Sequence, residues 1–134
     1  MNRILRVTLA ALLCLLGLAG CAQQEKETVN TYQQISAQEA KELMDSGKEY
    51  VIIDARTEEE FATGHIPNAI LIPEYEIAAR AETELPDKEA LILVYCRSGR
   101  RSKIASEELV KLGYTNVKEF GGIIDWPYET TIKE

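Results

Sequence analysis

The sequence predicts a single α/β domain in which a mostly parallel sheet carries helices on both faces. Three features point there. Short apolar runs alternate with segments that open on helix-capping residues, the pattern of strand–helix–strand units. Residues 50–54 (YVIID) and 91–95 (LILVY) are apolar almost without interruption, as strands buried on both faces read. Gly47, Gly64, Pro73 and Gly113 stand where successive elements should stop.

Composition agrees and narrows the function classes. With 134 residues, 46% of them hydrophobic, the chain can bury one core and is not a disordered polymer. Fifteen Lys and Arg against 22 Asp and Glu give a net charge of −7, which excludes a general nucleic-acid binder. Four prolines and the lack of a repeat period exclude a Pro-rich linker protein or a solenoid.

Residues 1–20 read as an address rather than as part of the fold. Arg3 and Arg6 precede an apolar run over residues 7–19, broken only by Thr8 and Gly17. The run is too short to cross a bilayer as a helix, which takes roughly 20 apolar residues. A basic start, a short apolar stretch and small residues at its end form a secretory signal. Its last residues, Leu18-Ala19-Gly20-Cys21, resemble a bacterial lipobox, in which cleavage precedes the cysteine and the cysteine receives a diacylglycerol. An ordinary signal that happens to end in cysteine is the alternative. The position of the four residues, where the apolar run stops and a polar segment begins, favours lipidation.

Residues 21–31 are then a lipidated Cys21 and a polar tether, and residues 32–134 the domain. The expected location is the cell envelope, on the non-cytoplasmic side of a bacterial membrane, held by lipid without a transmembrane helix. Ala22 offers no aspartate retention signal, so an envelope with two membranes would direct the protein to the outer one. Of three cysteines, Cys14 leaves with the signal and Cys21 is taken by lipid. Cys96 remains alone, and without an internal disulfide it is either buried and inert or reactive.

Within the domain the elements follow in order. Ser36-Ala37-Gln38-Glu39 has capping-box spacing and opens a helix with Ala40, Leu43 and Met44 on one face, ending at Gly47. A strand over residues 50–54 follows. Thr57 to Glu60 is a second capping box, leading into Phe61 and a stop at Gly64. Residues 69–72 form a short strand stopped by Pro73, and residues 74–84 a helix with Tyr75, Ile77, Ala78 and Ala81. After the strand at 91–95, residues 101–112 form a helix with Ile104, Ala105, Leu109 and Leu112 inward. Glu107 and Lys111 should pair outward on that helix. A final strand at 117–120 leads to Gly121-Gly122 and a short helix at 123–126.

The chemistry lies between the strand at 91–95 and the helix after it, in Cys96-Arg97-Ser98-Gly99-Arg100-Arg101-Ser102. In open α/β sheets ligands bind at the carboxyl ends of strands. A cysteine there directs its sulfur into a turn whose amides converge at a helix N-terminus, an arrangement that favours anions. An ordinary cysteine is only about 3% thiolate at neutral pH, and lowering its pKa by about two units takes roughly 2.7 kcal/mol. The plain alternatives are a small buried residue at a strand end and a solvated basic patch. A core cysteine seldom precedes such a run of Arg, Ser and Gly, and the local positive charge runs against an acidic chain.

These residues, with others, carry a resemblance. Asp54-Ala55-Arg56 with Glu59, Glu60 and Phe61, then Gly64-His65-Ile66-Pro67-Asn68-Ala69, the Cys96–Ser102 loop, and Gly121-Gly122 with Trp126 resemble single-domain rhodaneses, over about residues 32–127. The resemblance implies a rhodanese-like sheet of about five strands. It also implies a sulfurtransferase activity. Cys96 would be the nucleophile and sulfur carrier, attacking a sulfane donor such as thiosulfate and passing sulfur from its persulfide to a thiol or cyanide. The amides from Arg97 through Ser98, Gly99, Arg100 and Arg101 to Ser102 would hold the anionic donor and the persulfide. Arg101 would orient the donor, while Arg97 and Arg100 contribute field. Asp54, Arg56 and His65 would support loops rather than touch substrate, although His65 is also the candidate general base. Trp126 would belong to the core or the pocket rim. No cofactor is implied: neither metal, nucleotide nor flavin.

Three other readings compete. Phosphatases and arsenate reductases need an arginine at the sixth position after the cysteine, where this chain has Ser102. A non-catalytic sulfur carrier or binding module retains the fold, and a redox thiol would need a second cysteine as partner.

Overall fold

Among residues 30–134, which the computed structural model describes, five strands form one sheet, every neighbouring pair parallel. The elements are β1 (Gln33–Gln34), α1 (Ala37–Asp45), β2 (Val51–Asp54), α2 (Glu58–Thr63), β3 (Ala69–Leu71), α3 (Ile77–Glu84), β4 (Ile92–Cys96), α4 (Arg100–Lys111) and β5 (Val117–Gly122). Across the sheet the order is β1-β5-β4-β2-β3. The α/β class stands, with the sheet parallel throughout rather than mostly so. Residues 1–20, Cys21 and most of the expected tether lie outside the described residues.

Strand β4 shows why the run at 91–95 is apolar throughout. Ile92, Val94 and Cys96 pack with Ile77 and Ala81 of α3 and Ala105 and Leu109 of α4. The alternate residues Leu93 and Tyr95 enter a second core with Ala40 of α1, Ile66, Phe120 and Trp126. A strand period of two therefore sends apolar side chains into both layers, and each aliphatic one fully buried contributes about 1.5–3 kcal/mol.

Local chemistry sets the helix starts. Thr57 and Glu60 form a complete capping box at α2, worth about 1 kcal/mol. At α1, Ser36 accepts from the Glu39 amide at 3.0 Å, but the Glu39 carboxylate takes the Ser36 hydroxyl instead of the backbone amide. Only half of that predicted box forms.

Several expectations shift. Strand β1 was not apparent in the sequence, because two exposed glutamines join the sheet edge through backbone pairing with Lys118 and Glu119. Residues Glu74–Glu76 tighten into a 3-10 turn after Pro73, so the predicted helix begins at Ile77. Ile104 is exposed rather than inward, and Lys111 pairs with Glu108 at 3.1 Å rather than with Glu107.

One irregularity positions the site. Val94 pairs with Glu119, yet Cys96 pairs with Gly122, so β5 carries one residue more than β4 over this stretch. Gly121, at φ +86°, takes up the excess in a bulge beside Cys96.

Candidate active site

Cys96 ends β4, and Gly99 precedes the first turn of α4. Gly99 stands at φ +108°, a left-handed conformation that glycine adopts without penalty, and this bends the loop back over the sulfur. The Gly99 amide donates to Cys96 Sγ at 3.0 Å, and the Ser102 hydroxyl lies 3.4 Å from the same sulfur. Burial pushes the thiol up. The Ser102 hydroxyl and the amides of Ser102, Gly99 and Ser98 outweigh it, and the thiol titrates below its ordinary value. The depression thus comes from the loop's backbone and one hydroxyl. A buried packing cysteine has no need of such converging donors.

The end of β5 and the 3-10 turn Ile123–Asp125 that follows it close the loop from behind. The Ile124 amide bonds the Arg97 carbonyl at 3.3 Å. At Gly122 a side chain is impossible, because its Cβ would lie 2.0 Å from that same carbonyl oxygen. The site is therefore a cradle of backbone amides. Surface hollows of about 690 Å³ beside Tyr32 and Lys111 and about 520 Å³ beside Tyr50 and Asn68 are not lined by the loop.

The three arginines part company. Arg97 and Arg100 are exposed. Arg101 instead grips Glu60 of α2 through two bonds, at 2.6 and 2.9 Å. Ser98 lies at the exposed rim, whereas Gly99 and Ser102 are buried.

The supporting residues form a separate network. Arg56 holds Asp54 with three side-chain bonds of 2.7–3.1 Å and reaches the Gly64 carbonyl at 2.7 Å. Tyr95 donates its hydroxyl to Asp54 at 2.7 Å and accepts the Ile66 amide at 3.0 Å. Burial, then the Asp54 charge, pushes the Tyr95 phenol far up, so it stays a donor. The His65 ring lies against Phe61 at 3.7 Å between centroids, with Nδ1 3.0 Å from the Phe61 carbonyl and Nε2 2.9 Å from that of Lys133. Its nitrogens are engaged with the main chain, not with Cys96. Trp126 is buried in the core.

A family model described as the rhodanese-like domain matches residues 36–127, spanning the cradle and both supporting loops. The chain belongs to the rhodanese-like family. It is 42% identical over 73 residues to the thiosulfate sulfurtransferase PspE of Escherichia coli, covering 54% of this chain and 70% of that one. It is 35% identical over 94 residues to a sulfurtransferase of Allochromatium vinosum, covering 69% and 86%. A solved structure described as a rhodanese with anions, from E. coli, superposes with a TM-score of 0.60 at 36% identity, over 63% of this chain and all of the other.

Three residues of this rhodanese-like domain escaped the reading of its sequence as site partners. Glu60 stood there as a cap and a motif residue with no partner in the loop, and Tyr95 as an apolar strand residue. Glu119 is the third: a carboxylate only 3% exposed that accepts the Ser102 hydroxyl at 2.6 Å. Its signal was an acidic residue two positions from buried Val117, hence on the same face of β5.

Proposed function

We propose that the protein is a sulfurtransferase that moves sulfane sulfur from thiosulfate or a persulfide to a thiol or cyanide through a persulfide on Cys96. The observation that carries this is the sulfur of Cys96 set at 3.0 Å from the Gly99 amide inside a closed amide cradle. Such a cradle stabilises an anion on sulfur in both the attacking thiolate and the persulfide that follows. The names of the relatives support the same reaction class.

The chemistry balances as two displacements. The Cys96 thiolate attacks the outer sulfur of thiosulfate, a new S–S bond forms, and sulfite leaves with the electron pair of the old one. The acceptor then attacks the outer sulfur of the persulfide and Cys96 departs as thiolate. With cyanide the product is thiocyanate. Exposed Arg97 and Arg100 supply the attraction for a small anionic donor.

We also propose that lipid on Cys21 anchors the domain on the non-cytoplasmic side of a bacterial membrane, on the strength of the sequence over residues 1–21. Incubation with thiosulfate followed by intact mass spectrometry should add one sulfur atom, absent in Cys96→Ser. No added sulfur, together with phosphate release from an aryl phosphate, overturns the reading in favour of phosphatase chemistry.

A further inference from the structure

Glu119 has no part in the displacements above, yet it stands one hydroxyl away from the nucleophile. Its Oε1 accepts from the Ser102 hydroxyl at 2.6 Å and from the Gly121 amide at 2.8 Å. Ser102 Oγ in turn lies 3.4 Å from Cys96 Sγ, in a geometry where the thiol donates to it. The carbonyls of Gly99 and Gly121 sit 3.0 and 3.3 Å from the same hydroxyl.

A hydroxyl has a single proton to give. While Cys96 is a thiol, Ser102 gives that proton to the Glu119 carboxylate and receives the S–H. Once Cys96 is a thiolate, the sulfur needs the hydroxyl proton. A carboxylate left at 2.6 Å without it would face oxygen lone pair to lone pair. Thiolate and carboxylate therefore compete for one proton, unless the carboxyl carries its own.

We propose that Glu119 is a positioning residue which receives, through Ser102, the proton that leaves Cys96. The S–H proton passes to Ser102 Oγ as the Ser102 proton passes to Glu119 Oε1. One S–H and one O–H bond break, and two O–H bonds form. Negative charge moves from the carboxylate to sulfur, with nothing oxidised and no proton released to solvent. The bulge in β5 matters here, because it lets the Gly121 amide and Ser102 meet the same carboxylate oxygen.

The neighbouring charges are engaged elsewhere or exposed. Arg101 of α4 holds Glu60 of α2, Asp54 of β2 holds Arg56, and Lys118, next to Glu119 on β5, bonds Gln33 of β1. Arg97 and Arg100 of the loop are exposed.

The proposal rests on Cys96 as the nucleophile, but its test needs no sulfur donor. The rate of iodoacetamide alkylation at Cys96 is followed against pH in the full chain by peptide mass spectrometry. The wild type should rise in two steps with a pH-independent plateau between them, where sulfur and carboxyl share one charge. Glu119→Gln should lose the plateau and rise in one step, and so should Ser102→Ala, which decides the matter if Glu119→Gln does not fold. A single step in the wild type, or a plateau surviving in a folded variant, overturns the proposal. A protein that shows the plateau but forms no persulfide from thiosulfate sinks the sulfurtransferase reading alone.

Discussion

Arg101 holds Glu60 with both terminal amino groups of its guanidinium, Nη1 to Oε1 at 2.6 Å and Nη2 to Oε2 at 2.9 Å. The contact ties the first turn of α4, one residue before Ser102, to the capping box of α2, which uses the same Oε1. A bidentate pair of this kind fixes orientation as well as charge. The loop arginine nearest Ser102 is thus turned toward a carboxylate of the protein. Arg97 and Arg100, by contrast, are exposed.

The pair has a pH signature. Hydrogen bonding to Arg101 holds the Glu60 carboxyl down, at about 2. In the unfolded chain it returns to the ordinary value near 4.3. A folded value below the unfolded one gives stability that is fully present above the unfolded value and lost as pH falls toward the folded one. With side chains 20% and 27% exposed, solvent screening reduces the contribution to about 1–2 kcal/mol. Urea unfolding should show Glu60→Gln less stable than wild type by that amount at neutral pH and nearly equal at pH 2. A deficit that persists at pH 2 would assign the residue to packing alone.

Gly122→Ala should be far more damaging than its size suggests. The added Cβ would meet the Arg97 carbonyl oxygen at 2.0 Å and the Ser98 amide nitrogen at 2.5 Å, both backbone atoms that cannot swing aside. Forcing them apart opens the amide cradle and costs about 1–3 kcal/mol or more. Gly47→Ala meets nothing within 4 Å and carries only a left-handed strain, at φ +82°. Thermal unfolding together with Cys96 alkylation separates the two. Gly47→Ala should lose about 1 kcal/mol and keep normal thiol reactivity, whereas Gly122→Ala should lose both.

What the sequence revealed follows from how local each cause is. Strand β4 was legible because its apolar residues serve two cores, and the Cys96 loop was legible because a strand-end cysteine precedes a turn glycine and a helix. Strand β1 was not, since two exposed glutamines pair only through backbone. Glu119 and Tyr95 were hidden for another reason. Their partners Ser102 and Asp54 lie 17 and 41 residues away, so no local pattern marks the carboxylate or the phenol as engaged. Glu60 was apparent as a cap, but its hold on Arg101 joins two helices through the fold.

Tyr95→Phe tests the supporting network. The phenol is the donor to Asp54 at 2.7 Å and the acceptor of the Ile66 amide at 3.0 Å, both in the buried interior. Phenylalanine keeps the packing against Phe120 and removes only the oxygen. Two buried polar groups then lose a partner, at a cost of about 1–3 kcal/mol each at most. Chemical denaturation should report a loss of about 2–4 kcal/mol with an unchanged slope. A loss below about 0.5 kcal/mol would mean that water replaces the hydroxyl.

His65→Ala separates a general base from a residue that fixes the chain. The His65 backbone pairs with Thr131 in both directions, at 2.9 and 2.8 Å, and its ring bridges the Phe61 and Lys133 carbonyls. Alanine keeps the backbone pairing but removes the stack on Phe61 and the bond to Lys133. The expected result is a destabilised domain in which the amides of residues 131–134 exchange faster with solvent. The pH dependence of Cys96 alkylation should not move, because no ring atom bonds the sulfur. Were His65 the base, the profile would shift toward that of an unassisted thiol while the exchange of the C-terminal amides stayed slow.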